Sequence, residues 1–316
     1  MRCDLHVHTD RSGMCTVPVA DRFCRESYND PLAVYELLKR RGMDLVTVTD
    51  HDSIDAVECL RRYPDFFLSE EVTCTMPSGT GVHVGVYDIA ERDHVEIQRR
   101  RDDVPALIAY LSEHQLLFAV NHVFSALTGR RTYADFALFQ DFFPALEALN
   151  GQLLPACNRK AEALSARWRK IPLGGSDSHT MAELGRAFTE APGARTKQEF
   201  LASLKAGRVR AVGRSGGYWQ LTRAVWNIGA NLLCEKAWAF VLTPLAAVIP
   251  LVTLASCIQD RVFANIWSRR ISTLGNAGGL RRRWGGLSSL QTHHREIDPA
   301  VFAPPPRLVA EPGELV

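Results

Sequence analysis

Apolar runs that each end in histidine and acidic residues recur along this chain, and no other feature constrains its fold as much. Asp4-Leu5-His6-Val7-His8-Thr9 opens the series. Leu45–Thr49 ends in Asp50-His51-Asp52, Phe66-Phe67-Leu68 leads to Glu70-Glu71, and Ile171–Ser176 ends in Asp177-Ser178-His179. His83 lies within Val82–Val86, and His122 follows Leu116–Asn121. In an extended segment, side chains two apart share a face, so His6 and His8 can reach one ion. Imidazole and carboxylate suit zinc, manganese and iron, and several of each imply more than one ion. Taken singly, His83 or His122 reads as a buried histidine satisfied by a backbone carbonyl. Their common placement at strand ends of one alternating pattern argues for metal ligation.

The intervening segments read as helices. Asp30-Pro31 supplies an N-cap and first-turn proline, and Gly42 a stop, for a helix with Leu32, Tyr35, Leu37 and Leu38 on its apolar face. A strand is expected at Leu45–Thr49. Helices around Pro105–His114, Tyr133–Phe143 and Ala156–Arg169 precede strands Leu116–Val120, Ala145–Leu149 and Ile171–Gly174. Arg186–Glu190, a helix over Lys197–Lys205 ended by Gly207, and Val209–Val212 complete the series. This β-then-α rhythm predicts an α/β fold with a mostly parallel sheet, closed as a barrel, whose chemistry sits at the C-terminal ends of the strands.

At 316 residues the chain can bury a large core and carry an additional segment. With a net charge of +2, no general nucleic-acid affinity follows from charge, and no nucleic-acid partner is expected on that ground. Its eight cysteines include no Cys-x-x-Cys pair and read as reduced thiols. With a metal motif starting at residue 4, no room is left for a cleaved signal peptide, and a cytoplasmic location is expected.

Asp-Leu-His-Val-His-Thr at 4–9, Thr-Asp-His-Asp at 49–52, Glu71, His83, His122 and Gly-Ser-Asp-Ser-His at 175–179 together resemble the PHP (polymerase and histidinol phosphatase) family. The resemblance covers residues 1–213. It implies a distorted (β/α)7 barrel and a phosphoric ester hydrolase holding two or three divalent ions of manganese, zinc or iron. One ion would take His6, His8, Glu71 and Asp177, and a second Glu71, His83 and His122, with Glu71 bridging. A third would use His51 and His179 with a ligand from the loop after His8. Where the family has Asp or His in that loop, this chain has Gly13 or Met14, neither of which supplies a ligand, and Asp10 is the substitute in reach. His51 and His179, with Asp177, are therefore also candidate catalytic groups, the histidines as proton donors to the leaving oxygen. The substrate implied is a small phosphorylated metabolite or nucleotide.

Other polar residues have more ordinary readings. Asp4 and Asp50 are expected to orient ligands or loops. Arg130 and Arg131, in a glycine-containing loop after His122, are candidates to grip phosphate, against the alternative of a solvated basic turn. Alternation predicts Glu70 exposed beside Glu71. His94 and His114 read as surface residues, and His293-His294 as no site.

Beyond a linker at 214–218, residues 219–272 read as a helical extension and 273–316 as a basic, then proline-rich, disordered tail. Between Ala237 and Ile258 there is no charged residue or histidine, a length that could cross a bilayer, although Pro244 and Pro250 would kink it. Trp219, Trp226 and Trp238, with basic residues on both flanks, fit attachment to the inner face of a membrane. Packing of the extension on the first domain or on another subunit is the alternative. Two competing functions are an amidohydrolase-type metal hydrolase and a non-catalytic, membrane-tethered binding domain. No lysine lies between Lys39 and Lys160 to serve as the bridging lysine common in amidohydrolases. A decayed site would have lost several ligands, whereas only the third-ion loop position is missing.

Overall fold

The computed structural model describes residues 1–13 and 22–272. Met14 and the tail from 273, with Arg281–Arg283, His293-His294 and the proline run, lie outside the described residues. The elements are β1 (Arg2–Cys3), α1 (Pro31–Arg40), α2 (Val57–Leu60), β2 (Ser69–Thr75), β3 (Gly81–Tyr87), α3 (Glu91–Arg100), α4 (Val104–Glu113), β4 (Leu117–Val120), α5 (Tyr133–Phe142), β5 (Ala145–Asn150), α6 (Pro155–Trp168), β6 (Ile171–Gly175), β7 (Ala187–Glu190), α7 (Lys197–Lys205) and β8 (Arg210–Gly213). Helix α8 (Tyr218–Glu235), a 3₁₀ run (Ala237–Val248) and α9 (Ile249–Ser272) follow.

Local chemistry sets the helix ends. Asp30 accepts a hydrogen bond from the Ala33 amide at the start of α1, with Pro31 in its first turn, and Gly42 takes φ +83° just past its end. Thr132 and Asp135 cap α5 reciprocally. Helix α3 has no counterpart among the expected elements, because its charged sequence buries only Asp93 and Ile97 and shows no apolar stripe.

Five strands pair in the order β2-β3-β4-β5-β6, and three in the order β1-β7-β8. The expectation of a mostly parallel sheet is corrected: β2/β3, β3/β4, β1/β7 and β7/β8 are antiparallel, and only β4/β5 and β5/β6 are parallel. Among the described residues no sheet closes on itself. Leu45–Thr49 forms no ladder strand, only an isolated parallel bridge at Val46↔Phe66 and another just beyond it at His51↔Glu71. Threonine hydroxyls take up backbone groups that a ladder would pair. The Val7 amide donates to Thr49 Oγ1 (3.0 Å), and Thr47 Oγ1 donates to the Phe67 carbonyl (2.7 Å). Segments 5–9 and 45–52 nonetheless join the two edges of the five-stranded sheet. Asp177 N donates to His6 O, Thr49 N to Val7 O and Glu71 N to Asp50 O.

One large apolar core joins α1, β2–β5 and α4–α6, and Ala264, Trp267 and Ile271 of α9 belong to it. The C-terminal helix α9 is thus packed into the same core as residues 1–213. Trp267 lies over Phe136 with ring centroids 4.9 Å apart, and Arg167 donates to the Ser272 carbonyl (3.0 Å). The seven cysteines among the described residues are all free thiols.

Candidate metal centre

Glu71 within β2, His83 within β3, and the segments that follow β1, residues 45–49, β4 and β6 bring His6, His8, His51, Glu71, His83, His122, Asp177 and His179 to one place, so the expectation that all of them sit at strand ends is corrected for Glu71 and His83. Ligand atoms of four overlapping sets each lie within 4.8 Å of one another: His6, His8 and Asp177; His6, Glu71 and His122; His51, Glu71 and His83; His8, His51 and His179. Glu71 is central and almost fully buried. Its Oε2 lies 3.0 Å from His6 Nε2 and 3.3 Å from both His8 Nε2 and His51 Nε2. Its Oε1 lies 3.3 Å from His122 Nε2 and 3.6 Å from His83 Nδ1. The two oxygens of one carboxylate therefore face two groups of imidazoles.

Asp177 Oδ1 lies 3.5 Å from both His6 Nε2 and His8 Nε2. Backbone geometry delivers it there at a conformational cost: Asp177 has φ +53° and His122 φ +31°, in a region that residues with side chains seldom occupy. Gly175 is required beside them, because a β-carbon at that position would collide with His6.

Surrounding polar residues hold the ligands. Asp4 accepts from the amides of His6 (3.2 Å), Ser176 (2.8 Å) and Gly185 (2.8 Å), which ties the first motif to the last. Asp50 accepts from both the amide and the hydroxyl of Thr9. These are the orienting roles expected for both residues.

Sequence reasoning missed Glu147, Asn121, Asn150 and Ser12. Glu147 Oε1 pairs with His6 Nδ1 (2.8 Å), and its Oε2 accepts from the His122 amide (2.7 Å) and Asn150 Nδ2 (3.0 Å). Asn150 also donates to Asp177 Oδ2 (2.9 Å), and Asn121 to Glu71 Oε1 (2.7 Å). Ser12 Oγ lies 2.9 Å from His8 Nδ1 and accepts from the His51 amide. The available signal was an acidic residue inside the apolar strand Ala145–Asn150, because a buried carboxylate needs a partner.

Glu26 was also missed. It stands where the loop ligand for a third ion was judged absent. Its carboxylate lies 3.3 Å from His179 Nε2 and 3.5 Å from His51 Nε2. Asp10, the substitute considered from sequence, pairs instead with Arg11 at 3.2 Å. No flanking pattern marks Glu26 in the sequence.

Two further expectations are corrected. Glu70 is fully buried rather than exposed, accepting from Gln98 Nε2 (2.8 Å) and pairing with His94 Nδ1 (2.9 Å), so His94 is a partly buried partner and not a free surface residue. Arg131 is buried and donates to the Gly81 carbonyl and to Thr128 Oγ1, so it holds its own loop together and is not turned to the centre for phosphate. Arg130 and His114 are exposed.

The electrostatics suit a bound cation. Burial would lower the His6 imidazole, yet Glu71, Asp177 and Glu147 push it well above its ordinary value. His8 is likewise carried to about 10 against burial, by Asp177 and Glu71. Burial takes His83 down to about 3 and also lowers His51. Glu26 is half-buried, which would raise it, yet His51 and His179 hold it down at about 2. His6 Nε2 and His8 Nε2 stand 3.1 Å apart, as do His83 Nδ1 and His122 Nε2 at 3.2 Å. Such nitrogen pairs can share only one proton, and Glu26 Oε2 is buried without a hydrogen bond. Nitrogen and oxygen donors converging in this way fit divalent ions.

Residues 155–209 match a family model described as PHP-associated. No curated protein matches the chain. Among solved structures, PsfC from Pseudomonas syringae is similar over 74% of this chain and 98% of its own, at 17% identity and a TM-score of 0.52. A two-domain protein from Bacteroides vulgatus, containing a predicted PHP-like metal-dependent phosphoesterase, matches over 68% of this chain and 65% of its own, at 18% identity and a TM-score of 0.49. The lesion-specific endonuclease EndoQ from Pyrococcus furiosus matches over 66% of this chain and 57% of its own, at 18% identity and a TM-score of 0.47. At these identities, the likeness to PsfC bears on the fold alone.

Proposed function

We propose, from the PHP membership that the motifs and the family match support, that the chain is a metal-dependent phosphoesterase acting on a small phosphorylated metabolite or nucleotide. The observation that carries this reading is the Glu71 carboxylate, whose two oxygens face separate histidine groups. The frame we infer is the family's distorted (β/α)7 barrel. It is supported by the hydrogen bonds that join segments 5–9 and 45–52 to both edges of the five-stranded sheet.

His6, His8, Glu71 and Asp177 would hold one ion, and Glu71, His83 and His122 a second. His51, His179 and Glu26 would hold a third, with Glu26 filling the place left by Gly13. Divalent ions in such a centre lower the pKa of water and neutralise phosphate oxygens. The chain's own residues supply the rest. Glu147 fixes the ring of His6 and the backbone of His122, Asn121 and Asn150 orient the two ligating carboxylates, and Ser12 sets the His8 ring. In a centre that holds only two ions, His179 would instead be free to deliver a proton to the leaving oxygen. The free thiols support a cytoplasmic location.

The test is hydrolysis of a panel of phosphomonoesters and phosphodiesters by protein loaded with manganese, zinc or iron, with elemental analysis alongside. Metal-dependent turnover of at least one ester is expected. Metal-replete protein that cleaves amides and no phosphoester would instead establish the amidohydrolase reading.

A further inference from the structure

Helix α9 carries two apolar stripes. Thr253, Cys257, Ala264, Trp267 and Ile271 are buried against the rest of the chain. Leu251, Leu254, Ile258, Val262 and Ile266 recur every three or four residues and are exposed. A helix packed on a soluble body needs only the first stripe. The preceding 3₁₀ run adds Trp238, Phe240, Val241, Leu245 and Val248 to the exposed surface, and Trp219 and Trp226 of α8 are exposed as well, Trp219 at 77%. Exposed apolar side chains in such number, recurring along one helix and the run before it, mark an interaction site.

We propose that this face seats on the surface of an anionic bilayer, lying in the interface rather than crossing it. Between Ala237 and Ile258 the face offers no charged side chain to set register with a protein partner. Its three tryptophans suit the headgroup boundary. Lys236 precedes the uncharged run, exposed Arg261 and Arg269 follow it, and the sequence continues to Arg281-Arg282-Arg283, so cations flank the apolar surface as anionic headgroups require. Crossing is opposed by the attachments of the inner stripe. Thr253 Oγ1 and Thr222 Oγ1 are hydrogen-bonded at 2.7 Å, and Asp260 accepts from the Ala126 amide (2.7 Å) and Ser125 Oγ (3.2 Å).

These helices also touch three segments that carry the metal centre. Lys236 Nζ donates to the Phe23 carbonyl (3.0 Å), Arg25 pairs with Glu235 (3.2 Å), and Trp238 meets Phe23 edge-on, all within three residues of Glu26. Asp260 holds the turn after His122, and Gln220 Nε2 donates to the carbonyl of Gly151, next to Asn150. Docking would therefore bear on helices that brace the segments of Glu26, His122 and Asn150, and phosphoesters presented at that surface are the substrate class it favours. That consequence rests on the proposed hydrolysis, whereas the docking does not.

The experiment is flotation of the full chain with vesicles of phosphatidylcholine alone or mixed with phosphatidylglycerol. The chain should float with the anionic vesicles, shift its tryptophan emission to the blue and be partly released by salt. A triple variant of the outer stripe, Leu254→Glu, Ile258→Glu and Val262→Glu, should remain at the bottom of the gradient. Its circular dichroism, metal content and turnover of a soluble phosphoester should be unchanged. Equal flotation of the variant would overturn the proposal. So would wild-type protein that fails to float and elutes as a dimer dispersed by the same substitutions, which would make the face an interface between two copies. Flotation of a chain that hydrolyses no phosphoester would refute the proposed function and leave the docking standing.

Discussion

Glu26 Oε1 lies 3.3 Å from His179 Nε2, and the same carboxylate reaches to 3.5 Å from His51 Nε2. A loop residue with no sequence signature thereby joins the two histidines proposed to hold a third ion. The segment bearing it is in turn held by α8 and the residue after it, through Glu235 and Lys236.

Glu26→Gln keeps the size of the side chain and removes its charge. The expected result is loss of about one metal equivalent and a fall in turnover of at least about ten-fold, the scale typical of weakened metal support. Elemental analysis with steady-state kinetics is the measurement. Unchanged metal content and turnover within two-fold of wild type would mean that Glu26 only pairs with the histidines.

Glu147 accepts from three directions. With His6 Nε2 turned to Glu71, its Nδ1 is the nitrogen left to carry a proton toward Glu147. In Glu147→Gln the new amide N–H group must face at least one of the donors on His6, His122 or Asn150, which strands it in a buried site. A stability loss of about 1–3 kcal/mol is expected, with metal affinity weakened roughly 10- to 100-fold. Chemical denaturation and competition with a chelator measure the two effects. A variant that matches wild type in both would show that the network tolerates a neutral partner.

His94 is held above its ordinary value by its hydrogen bond to buried Glu70. The folded chain therefore binds the His94 proton more tightly than the unfolded chain. The resulting stability is complete below the ordinary value of 6.5 and fades as pH rises through the higher folded value. Wild type should melt above His94→Ala at pH 6, and the gap should narrow toward pH 9. Melting curves across that range test it, and a gap that widens with pH would reverse the assignment.

Trp267 belongs to the main core and covers Phe136. Trp267→Ala should cost about 3–5 kcal/mol. A chain ending at Ser215 loses Ala264, Trp267 and Ile271 together and should be less stable still, tending to aggregate. A soluble truncated chain with wild-type melting behaviour would show that residues 1–213 fold independently of the extension.

The sequence by itself determined the ligand types and most of the centre. His-x-His shares a face in any extended segment, and polar clusters within or after apolar runs are carried on the core's own segments, so eight of the residues that converge were legible from local pattern even though Glu71 and His83 lie inside strands. Helix boundaries were legible for the same reason, since caps such as Asp30 and Thr132 act within one turn. Only the tertiary structure decided which residues support those ligands. Glu26, Glu147 and Asn150 meet their partners across distances in sequence that no local pattern encodes, and Glu70 is buried because α3, itself too charged to announce a face, brings His94 and Gln98 over it. Strand direction was decided there too, because pairing of β2 with β3 and β3 with β4 depends on which edges meet. So was the place of the C-terminal helices. Their apolar composition allowed lipid, a partner or the core, and packing committed one stripe of α9 to the core while leaving the other uncovered.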